Sequence, residues 1–160
     1  SILKELDVSK FNTQNSISFE SMFEGCIKLQ KIDISNFNSF KCGCISKMFK
    51  NCQNITGIDM VNWNLCNLED TVLFFPLKKY GIEQLFFGCE NLEMIGLNIN
   101  FSKIIIKDDI FERIPNKGTF IYNNGLKFNE KETKNNNNYE MIKAILNKLP
   151  VGWEKIENQE

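Results

Sequence analysis

Apolar residues in the first two thirds of the chain fall into short clusters of one shape. Leu29-x-x-Ile32-x-Ile34 is matched by Ile55-x-x-Ile58-x-Met60 and by Leu92-x-x-Ile95-x-Leu97. The last two apolar positions of each cluster alternate with polar ones, which predicts one short strand with a single buried side. Upstream of the strands, Ile17, Phe19, Met22 and Phe23, like Ile45, Met48 and Phe49, are spaced as on one face of a helix. They predict a short helix that ends near Gly25 or Asn51. Each unit therefore reads as helix, turn, strand and loop. Stacked at about 4.8 Å per strand, such units would form a parallel sheet on one face and a row of short helices on the other.

The clusters keep a fixed step. Leu6-Asp7-Val8-Ser9-Lys10-Phe11-Asn12 returns 26 residues later as Ile32-Asp33-Ile34-Ser35-Asn36-Phe37-Asn38, and after another 26 as Ile58-Asp59-Met60-Val61-Asn62-Trp63-Asn64. Met22-Phe23-Glu24-Gly25-Cys26 returns as Met48-Phe49-Lys50-Asn51-Cys52 after 26 residues, then as Leu85-Phe86-Phe87-Gly88-Cys89 after 37, so the third unit carries 11 inserted residues. A repeat of this kind implies units that bury their apolar faces only against each other.

The strand block with Asp and then Ser-x-Phe-Asn, followed by Met-Phe-x-x-Cys and a Leu three residues past the Cys, resembles the BspA-like class of leucine-rich repeats. The resemblance spans roughly residues 1–99 and departs from the pattern at Gly96, which stands where the other copies have Asp. It implies an α/β leucine-rich-repeat solenoid over residues 1–107, from a family found in surface proteins and lipoproteins of bacteria, mycoplasmas and some parasitic protists. Gly118-Thr119-Phe120-Ile121-Tyr122 and Leu149-Pro150-Val151-Gly152-Trp153 resemble the tail that closes many bacterial surface proteins of this type. A mixed α+β capping segment is therefore expected over residues 108–160. Its parts would be a strand through 120–122, a turn at Asn123-Asn124-Gly125, a helix over 139–148 and a last strand after Trp153. Because Ser1 aligns with Ile27, a further unit is expected upstream, with an open solenoid end at the amino-terminal face.

Composition narrows the function. The 160 residues are 42% hydrophobic and carry 19 basic against 20 acidic side chains, so a disordered tail is excluded and no concentrated basic excess offers itself to phosphates. No nucleic-acid partner is expected. With no histidine in the chain, imidazole-based catalytic triads and histidine-ligated metal sites are excluded. The apolar stretches near residues 72–77 and 101–106 are far shorter than the roughly 18 to 20 residues a membrane helix needs, so no membrane insertion is expected in this stretch. Asparagine is abundant, with a run over 135–138, which reads as a low-complexity loop or a compositional bias.

Six cysteines suggest chemistry until the period is applied. Cys26, Cys52 and Cys89 share one repeat position, as do Phe23, Phe49 and Phe86, and both sets predict packed structural ladders. Phe11, Phe37 and Trp63 predict a second aromatic column. Cys42, Cys44 and Cys66 would offer three thiolates to zinc but lack a fourth ligand, and they are read as loop residues. Asp7, Asp33 and Asp59 suit side-chain to backbone bonds in the turn after each strand better than a calcium stripe. Asn54-Ile55-Thr56 and Asn100-Phe101-Ser102 are glycan acceptor triplets of little weight in so asparagine-rich a chain.

No catalytic, cofactor or metal site is expected. The resemblance implies a non-enzymatic binding or adhesion module, extracellular or at the cell surface and monomeric, that presents a repeat face to a protein or glycan partner. Contact residues on the sheet face would be Gln30, Lys31, Gly57, Glu93 and Met94. The apolar insertion containing Leu73, Phe74 and Phe75 would either add to that surface or fold over the core as a longer helix or loop. The alternative is a spacer or stalk with no ligand of its own.

Overall fold

In the computed structural model, residues 4–68, 71–74, 77–79, 81–99, 104–123 and 137–158 are described. Single strands recur at the expected positions: β1 (Glu5–Leu6), β2 (Lys31–Ile32), β3 (Gly57–Met60) and β6 (Met94–Asn98). A hairpin of β4 (Thr71–Phe74) and β5 (Leu77–Lys79) lies between β3 and β6 in the chain. After β6 come a 3-10 helix over Asp108–Phe111, β7 (Lys117–Asn123), helix α1 (Asn137–Lys148) and β8 (Gly152–Glu157).

The result is a mixed α/β arrangement of parallel strands in two sheets, β1-β2 and β3-β6-β7-β8, with the hairpin as a separate antiparallel pair. A hydrogen bond from the Thr56 N–H to the Gln30 carbonyl (3.2 Å) links the two parallel sheets at their shared border. Pairing follows the repeat: Leu6 lies opposite Ile32, Ile58 opposite Ile95, and Ile95 opposite Phe120. Because alternate residues of a strand face opposite sides, this register stacks the apolar positions of successive strands on one side. Ile58, Ile95 and Phe120 are there fully buried.

The expected short helices are not formed. Residues 20–25, 46–51 and 81–88 are turns, and each of these runs contains a residue of left-handed backbone, Ser21, Lys47 and Gln84, at φ between 53° and 59°. A right-handed helix cannot pass through such a residue. The N–H groups instead divide between two destinations. Met22, Glu24 and Cys26 close turns onto the carbonyls of Phe19, Ser21 and Phe23. Phe19, Ser21, Phe23 and Gly25 donate across to Cys44, Ser46, Met48 and Lys50 in the next unit. Ile45, Lys47, Phe49 and Asn51 do the same to Gly81, Glu83, Leu85 and Phe87. The side opposite the strands is thus held by a ladder between units, which a helix would have kept within each unit. The carboxy-terminal elements follow expectation more closely, with β7, α1 and β8 where a strand, a helix and a strand are predicted. Of the predicted turn, Asn124 and Gly125 lie outside the described residues.

Two aromatic columns run through the core. Phe11, Phe37 and Trp63 stack at centroid distances of 6.3 and 5.9 Å. Phe23, Phe49 and Phe86 form the other column, which continues to Phe111 at 5.8 Å. Phe111 follows Phe86 by 25 residues, and Phe86 and Gly88 donate to the carbonyls of Ile110 and Glu112, so the 3-10 segment continues the ladder. Buried hydroxyls add a further tie: Thr13 Oγ1 accepts the Asn38 N–H (2.7 Å) and Ser39 Oγ accepts the Asn64 N–H (2.9 Å). Some of the asparagines also have structural work. The side-chain amides of Asn36, Asn54, Asn67 and Asn91 each donate to a carbonyl of the preceding unit.

Candidate functional site

Alternation along the strands turns every second residue outward, and the parallel register lines these residues up across strands. One lateral row reads Glu5, Lys31, Gly57, Met94, Thr119 and Glu154. The next reads Asp7, Asp33, Asp59, Gly96, Ile121 and Ile156. The face thus carries Glu5, Lys31 and three aspartates on the side of β1 to β3, whereas on the side of β6 to β8 the Asp row becomes Gly96, Ile121 and Ile156, beside Met94, Thr119 and the exposed Glu154. Met94 and Ile121 are half-buried, and Ile156 is 42% exposed.

The carboxylates are fixed by local bonds. Oδ1 of Asp7 accepts the Ser9 N–H (2.9 Å), Oδ1 of Asp33 the Ser35 N–H (2.9 Å), and Oδ1 of Asp59 the Val61 N–H (3.0 Å). These are the turn-closing bonds expected of Asp at this position. Hydrogen bonds from the side chain and backbone of Ser9 hold the Asp7 carboxyl below its ordinary value, and Ser35 does the same for Asp33. In the third copy a Cβ at Gly96 would stand 2.4 Å from Oδ1 of Asp59, so the missing Asp leaves room for its neighbour's carboxylate.

Of the residues expected to meet a partner, Gln30, Lys31 and Glu93 are exposed and Gly57 and Met94 half-buried. Gly57 and Met94 are brought together, the Met94 Cε lying 3.4 Å from where a Gly57 Cβ would be. Gln30 and Glu93 sit one residue earlier, where the strands begin, and their N–H groups bond to Lys4 O (2.7 Å) and Thr56 O (2.8 Å). Leu73 and Phe74 belong to β4 of the hairpin, neither the helix nor the loop considered for this insertion. Phe75 lies outside the described residues, as does the triplet Asn100-Phe101-Ser102. Ile121 and Ile156 were not singled out in the sequence. Alternation inside β7 and β8 hints at them, but only the register with β6 turns them to the same side as the Asp row.

Cys42, Cys52 and Cys89 are packed in the core. All six cysteines are free. The buried Cys52 and Cys89 thiols donate to the carbonyls of Phe23 (3.0 Å) and Phe49 (3.1 Å), whereas Cys26 is half-buried. Cys42 is buried and donates to the Cys44 carbonyl (3.2 Å), and Cys66 is exposed. Among the described residues, no group of three histidine, cysteine, aspartate or glutamate side chains is arranged to hold a metal. Elsewhere, an open hollow beside α1 is lined by Ile106, Asp108, Ala144, Asn147 and Lys148, but its two charged residues pair with each other. No described helix is long and apolar enough to cross a membrane.

Among known proteins, the family described as "Mycoplasma protein of unknown function, DUF285" matches residues 3–84, just over half of the chain. No curated protein and no solved structure matches it.

Proposed function

The chain belongs to the Mycoplasma family DUF285, and from that premise we propose that it is a non-enzymatic binding module of a secreted or cell-surface protein. On this reading the paired units are a BspA-like leucine-rich-repeat solenoid, and its outward strand face meets a protein or glycan partner. The observation that carries the reading is the lateral register. Equivalent positions such as Gly57, Met94 and Thr119 fall in one row, so modest contacts add along the array. The exposed Gln30, Lys31 and Glu93 would contribute at the strand entries. The module would act as a monomer and needs no cofactor.

The test is hydrogen exchange on the 160-residue chain, alone and mixed with candidate host extracellular proteins and glycans. Protection of strand peptides or of the 71–79 hairpin by a partner supports the module. The alternative, a spacer that only joins neighbouring repeats, is favoured by the backbone ladder between units on the turn side. Uniform exchange with every partner would select it.

A further inference from the structure

The outward face divides into two chemically different halves in a single row. Asp7, Asp33 and Asp59 are exposed on successive repeat strands, and the same row continues through Gly96 to Ile121 and Ile156. The adjoining row over the first three strands adds Glu5 and Lys31, so four carboxylates face one ammonium there. We propose that this face docks an extended polypeptide with basic residues followed by an apolar one, laid across the strands. Its cations would lie over Asp7 and Asp59, flanking Asp33 in the same row, and its apolar side chain over Ile121 beside Ile156. The inference rests on the strand face being the binding surface and names the partner class for it.

Spacing favours a polyproline II conformation for the ligand. That helix has three residues per turn and rises about 3.1 Å per residue, so it advances about 9.3 Å per turn. Two strand steps span about 9.5 Å. A side chain at every third ligand residue thus falls over every second strand, in the order Asp7, Asp59 and Ile121. Each Asp accepts its turn bond at Oδ1, and Asp7 and Asp33 also accept the Ser9 and Ser35 hydroxyls, but a carboxylate has about four lone-pair sites, so each keeps room for a cation. Gly96 leaves the strand between the two halves without a side chain beyond the Asp59 carboxylate, so the ligand meets no step there. A second observation lies beside the row. Asn98, two residues beyond Gly96 on the same side of β6, is 9% exposed, and its Oδ1 has no hydrogen-bond partner. A buried acceptor left open is costly, and a peptide N–H lying over β6 would complete it once the Asn98 amide turns toward the face.

The probe is a fluorescein-labelled peptide, Lys-Pro-Pro-Lys-Pro-Ala-Ile-Gly, whose Ala N–H falls over β6, titrated with the intact chain and read by fluorescence anisotropy. Its control carries Glu in place of both Lys. The lysine peptide should bind and weaken as salt is raised toward about 0.5 M, because exposed charges are then screened. Replacing Asp7→Asn, Asp33→Asn and Asp59→Asn together keeps every turn acceptor while removing the charge, so the fold is retained. Affinity should fall by roughly tenfold or more. Ile156→Ser should weaken binding without changing its salt dependence. No binding up to about 1 mM peptide, equal binding of the glutamate control, or an unchanged affinity in the triple variant would overturn the proposal. If an uncharged oligosaccharide such as maltoheptaose protects the same strands from exchange instead, the surface reading survives and the polypeptide assignment fails. If nothing protects them, both fail.

Discussion

The Cys89 thiol donates to the Phe49 carbonyl across 40 positions of sequence, and the Cys52 thiol makes the same bond to Phe23. Each thiol therefore reaches back one unit to a carbonyl that belongs to the aromatic column. Burial pushes the Cys52 thiol up to about 12 and Cys89 higher still, while Cys42, also buried, is raised to about 11. Thiolate is the reactive form, so these three should be inert at neutral pH. Native protein treated with N-ethylmaleimide should carry label first at the exposed Cys66. Cys52 and Cys89 should react only after denaturation. Peptide mass spectrometry over a time course reads this directly, and labelling of Cys89 as fast as Cys66 would refute the buried ladder.

The aromatic columns predict a contrast between interior and end positions. Phe49 is fully buried between Phe23 and Phe86, at 5.5 and 6.4 Å. Phe49→Ala should cost about 3–5 kcal/mol, the lost transfer energy plus a cavity that stacked neighbours cannot close. Phe11 stacks on Phe37 and is 44% exposed. Phe11→Ala should cost about 1 kcal/mol, in proportion to its smaller buried area. Urea midpoints of the two variants against the parent decide it, and equal losses would mean that the columns do not carry the core.

Much of this architecture is legible in the sequence because its inward residues recur. Ile58 and Ile95 pair as their 37-residue spacing implies once the insertion is allowed for. The turn side departs from its helical pattern for a physical reason. Ile45, Met48 and Phe49 have helical spacing, but successive turns bury the same positions, and the left-handed residue between them is Lys47, which no Gly announces. The continuation through Phe111 is hidden likewise. Arg113, at φ 60°, and Ile114 stand where the third unit has Gly88 and Cys89, so the motif vanishes while the backbone persists. In the site, the Asp turns are readable from the Asp-x-Ser steps at Asp7 and Asp33, and Asp59 repeats the bond with Val61 in place of Ser. The apolar half is not, since Ile121 and Ile156 join the Asp row only through a register set by tertiary pairing.

Gly25 and Gly88 occupy one repeat position and should differ in tolerance. Both have left-handed backbone, at φ 72° and 73°. A Cβ at Gly25 would meet nothing within 4 Å, whereas at Gly88 it would stand 2.5 Å from Asn51 Oδ1. Gly25→Ala should therefore cost only the backbone penalty, about 1–2 kcal/mol. Gly88→Ala should cost more, because the Asn51 side chain must also move. Thermal melts of the two variants test this, and Gly25→Ala as the worse of the pair would contradict the geometry.

Acid stability should depend on the Asp turns. The Asp7 and Asp33 carboxyls are held below their ordinary value of 3.8 by hydrogen bonds from Ser9 and Ser35, and Lys148 does the same for Asp108 by hydrogen bond and charge. For a depressed carboxyl, the native state binds fewer protons than the unfolded chain at the same pH. The resulting stabilisation is complete above the unfolded value of 3.8 and is lost as pH falls through the lower folded values. All three groups are exposed, so each effect is small and screened by salt. Urea unfolding should accordingly show a flat plateau near neutrality and a decline that starts below about pH 4. Asp7→Asn with Asp33→Asn keeps the acceptor for each turn but removes two titrating groups. The double variant should retain most of the neutral-pH stability and show a shallower acid decline than the parent. A decline as steep as the parent's would show that the acid sensitivity arises elsewhere in the chain.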